Sequence, residues 1–170
     1  AKGLAVAKPV YAAQVALWNN YAESYWNEEE TTEKKYHSSG FNAFVKLSAK
    51  WYAVNSTGTA PTTPPTNSFV GDDIKITPSV VAGGMKFTAS AANSSNVVTA
   101  LLVAKLGGKN RSANAGQYRE KMYFNFKAGT LETTVSLPPG YYAAGYSFVN
   151  TTTGQESAPV LLGNVGPITF

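Results

Sequence analysis

Apolar residues recur at helical spacing in the first third of the chain and at strand spacing in the rest. Tyr11, Val15, Trp18, Ala22 and Tyr25 follow one another at steps of four and three, on one face of a helix. Pro9 suits the first turn of that helix, where its missing N–H costs little. Asn19, Asn20 and Glu23 fall on other faces, and the helix is expected to fray near Asn27. Glu28 to Thr32 then reads as an acidic turn, kept in solvent by Glu33, Lys34 and Lys35. Ser38 or Ser39 can cap a second helix, on which Phe41, Phe44, Val45, Ser48, Trp51 and Tyr52 share a face. The two stripes predict a helical hairpin that buries Trp18 against Trp51 and Phe44. About 45 residues make a thin core. Part of this aromatic surface should therefore be buried against the rest of the chain or a partner.

Residues 55–66 read NSTGTAPTTPPT. Gly58, Pro61, Pro64 and Pro65 bar helix, and the threonines favour an extended, semi-rigid spacer. Beyond Phe69 the period becomes two. Ile74 and Ile76 alternate in a first strand that Pro78 should end, and Gly83 and Gly84 make a turn. Met85, Phe87, Ala89 and Ala91 mark a second strand. Val98, Ala100, Leu102, Ala104 and Leu106 mark a third, ending at Gly107 and Gly108. Met122, Phe124 and Phe126 give a fourth, and Leu131, Thr133, Val135 and Leu137 a fifth. Tyr142, Ala144, Tyr146 and Phe148 give a sixth, and Thr152, Thr153 and Gly154 a hairpin turn. A seventh is expected near Ser157–Leu162, with a last piece at Ile168–Phe170. Seven short strands between turn signals predict an antiparallel sandwich.

Composition agrees with this division. The 170 residues accommodate a sandwich of about 100 residues and leave the first third over. Charged residues make up 14% of the chain, against roughly 25% in average proteins. The neutral polar surface that results suits β-rich extracellular or virion proteins. The net charge of +4 is unevenly spread, with Lys105, Lys109, Arg111, Arg119 and Lys121 in one stretch. That stretch lacks the periodic basic and aromatic pattern of nucleic-acid readers, so it reads as a solvated loop. With no cysteine, disulfides and Cys-ligated zinc are excluded. No apolar run reaches the length of a membrane span, and residues 1–10 show no signal peptide. The opening Ala-Lys-Gly fits a removed initiator Met, hence cytoplasmic synthesis without export; a mature chain after signal cleavage can begin the same way.

The chemistry inventory is thin. His37 is the only histidine, and it falls in the polar turn without an orienting carboxylate. One His with scattered carboxylates does not supply a zinc site. A glycosidase needs two carboxylates about 5–10 Å apart in an aromatic cleft. Asp72, Asp73, Glu28 to Glu30, Glu120, Glu132 and Glu156 show no spacing that places two of them so. The same groups match no calcium-loop pattern. Asn55, Asn93, Asn110 and Asn150 head glycosylation sequons, which read as turn residues in a chain this rich in Asn, Ser and Thr. No cofactor is implied, and the inventory argues against an enzyme. The 10 Tyr and 3 Trp suit an interface or a sugar-stacking platform.

Two resemblances add to these readings. Leu137-Pro-Pro-Gly-Tyr-Tyr142, running through Tyr146 and Asn150 to Ser157, resembles the last hairpin of fibronectin type III–like domains. The spacing from Leu137 to Tyr142 is one residue shorter than the usual pattern, which argues against a tyrosine corner at Tyr142. The front segment Gln14-Val-Ala-Leu-Trp18-Asn-Asn-Tyr21-Ala22, with Ser39-Gly-Phe-Asn-Ala-Phe-Val45, is similar to a pattern in tailed-phage and prophage structural proteins. Leu17 stands where Ala is more usual, and the turn lacks the expected Asn-x-x-Gly.

The expected protein is α+β, mainly β. A helical docking segment (1–54) and a Pro/Thr linker (55–68) precede an Ig/fibronectin III-like sandwich (69–170). The phage resemblance implies a virion component, made in the bacterial cytoplasm: a decoration, head-fibre or tail-associated protein. Its partners would be other virion proteins and copies of itself, with no membrane, and with nucleic acid disfavoured. Tyr11, Val15, Trp18, Tyr25, Phe41, Phe44, Trp51 and Tyr52 are the interface candidates. A bacterial cell-surface adhesin or filament subunit, and a carbohydrate-binding module, are the alternatives.

Overall fold

The computed structural model describes residues 14–24 and 39–170. Tyr11, Tyr25, His37 and the acidic turn lie outside the described residues. The chain divides into two compact units. One comprises Ala1–Ser68 with Thr151–Gln155, and the other Phe69–Asn150 with Glu156–Phe170.

In the first unit, residues 14–24 form helix α1 and Gly40–Val54 form helix α2. Ser39 caps α2, its Oγ accepting from the Asn42 N–H at 3.3 Å. At the other end, the Asn55 backbone and side-chain nitrogens both donate to the Trp51 carbonyl. Neither helix is long and apolar enough to cross a membrane, among the described residues.

The helices meet where the sequence allows backbones to touch. Gly40 is buried, and a Cβ there would lie 2.5 Å from the Asn19 nitrogen and the Trp18 carbonyl carbon. Its N–H donates to Asn19 Oδ1 at 3.1 Å. Trp18, Ala22, Ala43 and Phe44 form the apolar cluster between the helices, with Trp18 edge-on to Phe44 at 5.1 Å. Trp51 is not in that cluster; it packs edge-on against Tyr52 at 5.1 Å, beneath Gly58. The buried positions of α2 are Gly40, Ala43, Phe44 and Trp51, a stripe rotated from the expected one toward the small residues.

The Pro/Thr stretch belongs to the same unit and packs within it. The Thr62 carbonyl accepts the Trp18 indole N–H at 2.9 Å, and Ala60 is buried. The Ala60 N–H reaches the Tyr52 hydroxyl at 3.4 Å. Thr151–Gln155 is tied in the same way. Asn55 donates to the Thr151 carbonyl and Gln155 to the Asn67 carbonyl, at 2.9 and 2.8 Å. Gly154 (φ 78°) leaves no room for a side chain, since a Cβ there would lie 2.2 Å from the Leu47 carbonyl oxygen.

The second unit contains seven strands: β1 (Ile76–Val81), β2 (Gly84–Ala89), β3 (Val97–Leu106), β4 (Arg119–Phe124), β5 (Glu132–Ser136), β6 (Gly140–Asn150) and β7 (Val160–Ile168). They form two antiparallel sheets, ordered β1-β2-β5 and β4-β3-β6-β7. One core joins them, with Ile76, Met85, Phe87 and Val135 from the first sheet and Leu101, Val103, Tyr146 and Phe148 from the second.

Three expectations are corrected. Pro78 does not end β1 but lies within it, opposite Phe87. As an edge strand, β1 has a neighbour on one side only, and the ladder tolerates a residue without N–H. The stripe Val98, Ala100, Leu102, Ala104 and Leu106 does not face the core; Val97, Leu101 and Val103 do. Both faces of β3 are apolar, so alternation could not tell them apart. Ala104 and Leu106 are buried on the outer side with Ala143, beneath Ala113 and Tyr118 of the loop between β3 and β4. The two last pieces of strand are one, β7, which takes up two register shifts against β6 near Gly163 (φ 76°) and Gly166 (φ 136°).

A tyrosine-corner type of bond also forms despite the shortened spacing. Tyr142 is buried and its hydroxyl donates to the Pro138 carbonyl at 2.9 Å, four residues upstream.

Candidate functional site

The helical face named by the sequence separates into an inner and an outer set. Trp18, Phe44 and Trp51 are at most 8% exposed, so their apolar area is already buried within the chain. Phe41 is half-buried. Val15 (40%), Leu17 (51%) and Tyr52 (47%) stay exposed. Tyr11 and Tyr25 lie outside the described residues. Leu17 was missed because a stripe of steps four and three passes it by.

The edges of the two sheets bear on assembly. An open edge offers unpaired N–H and C=O groups to another strand. Here β1 carries Pro78, and β7 carries Pro167 and two register shifts. Strand β4 presents Arg119, Glu120 and Lys121 with a register shift at Leu101/Leu102, and β5 presents Glu132. These are the devices by which proteins blunt strand-to-strand pairing.

Several groups weighed for chemistry are committed to the fold. Asp72 Oδ2 accepts from Asn93 Nδ2 and from the Ser94 N–H, both at 3.0 Å. Asn93 Oδ1 accepts the Phe126 N–H at 2.8 Å, which ties the turn before β3 to the end of β4. Glu132 pairs with Lys86 at 3.2 Å and takes the Thr88 hydroxyl. The Asn55 and Asn93 amides are thus bound internally, as turn and cap residues are. Among the described residues, no three of His, Cys, Asp and Glu converge as a metal site.

Glu120 and Glu156, far apart in sequence, do come to one place. They line an open groove of about 450 Å³ with Leu102, Ala115, Tyr118, Arg119, Pro159 and Leu161. Each has a neighbour that orients it: the Tyr123 hydroxyl donates to Glu120, and the buried Ser147 hydroxyl to Glu156 at 2.8 Å. Arg119 Nη1 is held by the Gly116 and Tyr118 carbonyls at 2.5 and 2.9 Å. No local signal marks this groove, because its lining comes from β3, from β4 with the loop before it, and from β7 with the segment before it.

Comparison with family models, with curated proteins and with solved structures returns no match to the chain.

Proposed function

We propose that this chain is a structural component of a bacteriophage virion, a decoration, head-fibre or tail-associated protein that assembles through its helical unit. The observation that carries the reading is the pairing of exposed apolar side chains on the helices, Val15, Leu17 and Tyr52, with sheet edges blunted by proline, charge and register shifts. Association by such a molecule favours side-chain burial over strand addition. The likeness of the front segment to phage structural proteins names the kind of assembly. Identical copies would meet in closed symmetry.

The β unit in this reading is a fibronectin III-like sandwich that serves display. Seven strands, the Tyr142 bond and the pairing of β4 with β3 support it. In the constant-type immunoglobulin fold the fourth strand joins the first sheet instead.

The alternative, a surface filament subunit, would need an open edge to extend by strand addition, and Pro78 and Pro167 weigh against it. The test is to band phage particles from the producing cells on a density gradient and identify their proteins by mass spectrometry. The chain should co-sediment with particles. The double change Val15→Ser with Leu17→Ser should lower its occupancy without altering its far-UV spectrum. Absence from purified particles, with recovery on the cell surface instead, would sink the reading.

A further inference from the structure

The groove beneath the Ala115–Gln117 turn plays no part in docking through the helices. We propose that it is a binding site for a neutral saccharide. The lining matches both sides of a sugar. Leu102, Pro159, Leu161 and the Tyr118 ring offer apolar surface to the C–H face of a pyranose. Glu120 and Glu156 offer acceptors to its hydroxyl protons, and the Arg119 guanidinium offers donors to its oxygens. A volume of about 450 Å³ falls within the usual range for small-molecule sites.

Other ligand classes fit less well. An anion would face two carboxylates against one guanidinium, itself bonded to two carbonyls. A wholly apolar ligand would strip water from both carboxylates with nothing in return.

The site is also held in shape before any ligand arrives. The Gln117 side chain accepts the Asn114 N–H at 2.9 Å, closing the turn, and Arg119 clamps that turn through Gly116 and Tyr118. Tyr118 packs against the buried patch of Ala104, Leu106 and Ala143. Groups fixed in this way lose little freedom on binding.

The full chain should be probed on an array of neutral, sialylated and sulfated glycans, then titrated at millimolar concentration with the strongest neutral oligosaccharide while ¹⁵N-labelled amides are followed by NMR. Shifts are expected at Leu102, Tyr118, Arg119, Glu120 and Leu161. Glu120→Gln and Glu156→Gln should each weaken binding about tenfold, a fall of ~1.4 kcal/mol, with the thermal midpoint unchanged. The proposal is overturned by an array silent at millimolar glycan, by preference for sulfated or sialylated glycans, by shifts confined to other surfaces, or by a Lys/Arg-rich peptide that displaces the sugar and binds more tightly.

Discussion

Replacing Gly40 by alanine sets two physical effects against each other, and the structure decides the sign. Alanine is the better helix former, by about 0.5–1 kcal/mol in a helix interior and by less at Gly40, the first residue of α2. Judged by propensity alone, Gly40→Ala should stabilise α2. The added Cβ, however, would lie 2.5 Å from the Asn19 nitrogen, the Asn19 Oδ1 and the Trp18 carbonyl carbon. Two of those three atoms are backbone, so no rotamer change relieves the overlap. Forcing such a contact costs about 1–3 kcal/mol. Separating the helices to make room also breaks the 3.1 Å bond from Gly40 to Asn19, worth about 0.5–1.5 kcal/mol. Less the propensity gain, the net is a destabilisation of about 1–3 kcal/mol.

The chain supplies its own probe for this measurement. All three tryptophans, Trp18, Trp26 and Trp51, precede residue 55. Indole fluorescence therefore reports the helical unit, whereas far-UV dichroism sums over both units. With a urea slope near 1 kcal/mol per molar, typical of a small unit, the fluorescence midpoint should fall by about 1 M or more. Asn42→Ala, on an exposed face of the same helix, should be neutral or slightly stabilising. If Gly40→Ala leaves the midpoint unchanged or raises it, the close crossing of α1 and α2 is wrong.

Three further substitutions, one of them a control, test single contacts. Gly154→Ala combines a left-handed backbone with a Cβ 2.2 Å from the Leu47 carbonyl oxygen, and should cost about 2–4 kcal/mol. Gly163→Ala shares the positive φ but has nothing within 4 Å, and should cost only about 1–2 kcal/mol; equal losses in thermal melts would refute the steric argument. Tyr142→Phe removes the 2.9 Å bond to Pro138 from a buried site and should cost about 0.5–1.5 kcal/mol. A far-UV denaturation curve identical to that of the parent would show that this bond contributes nothing.

Local pattern along the chain marks most of the elements. Alternation along residues 69–170 marks the strands, because a strand buried on one face needs a period of two. Ser39 and Gly83 mark a helix cap and a turn through their own chemistry. The tertiary structure decided what local pattern leaves ambiguous. Which face of β3 meets the core depends on which segment covers the other side, and that segment is the loop before β4. Whether Pro78 ends a strand depends on whether β1 has one neighbour or two. Trp18 and Trp51 carry the same stripe signal, yet one enters the cluster between the helices and the other lies under Gly58. The groove is the extreme case. Glu120 and Glu156 are 36 positions apart by their numbers, and only the pairing of β4 with β3, of β3 with β6, and of Glu156 with Val149 of β6 brings them to one groove. Periodicity is a local property that burial imposes on a single element. Proximity between elements is set by register and coverage, which no stretch of sequence carries alone.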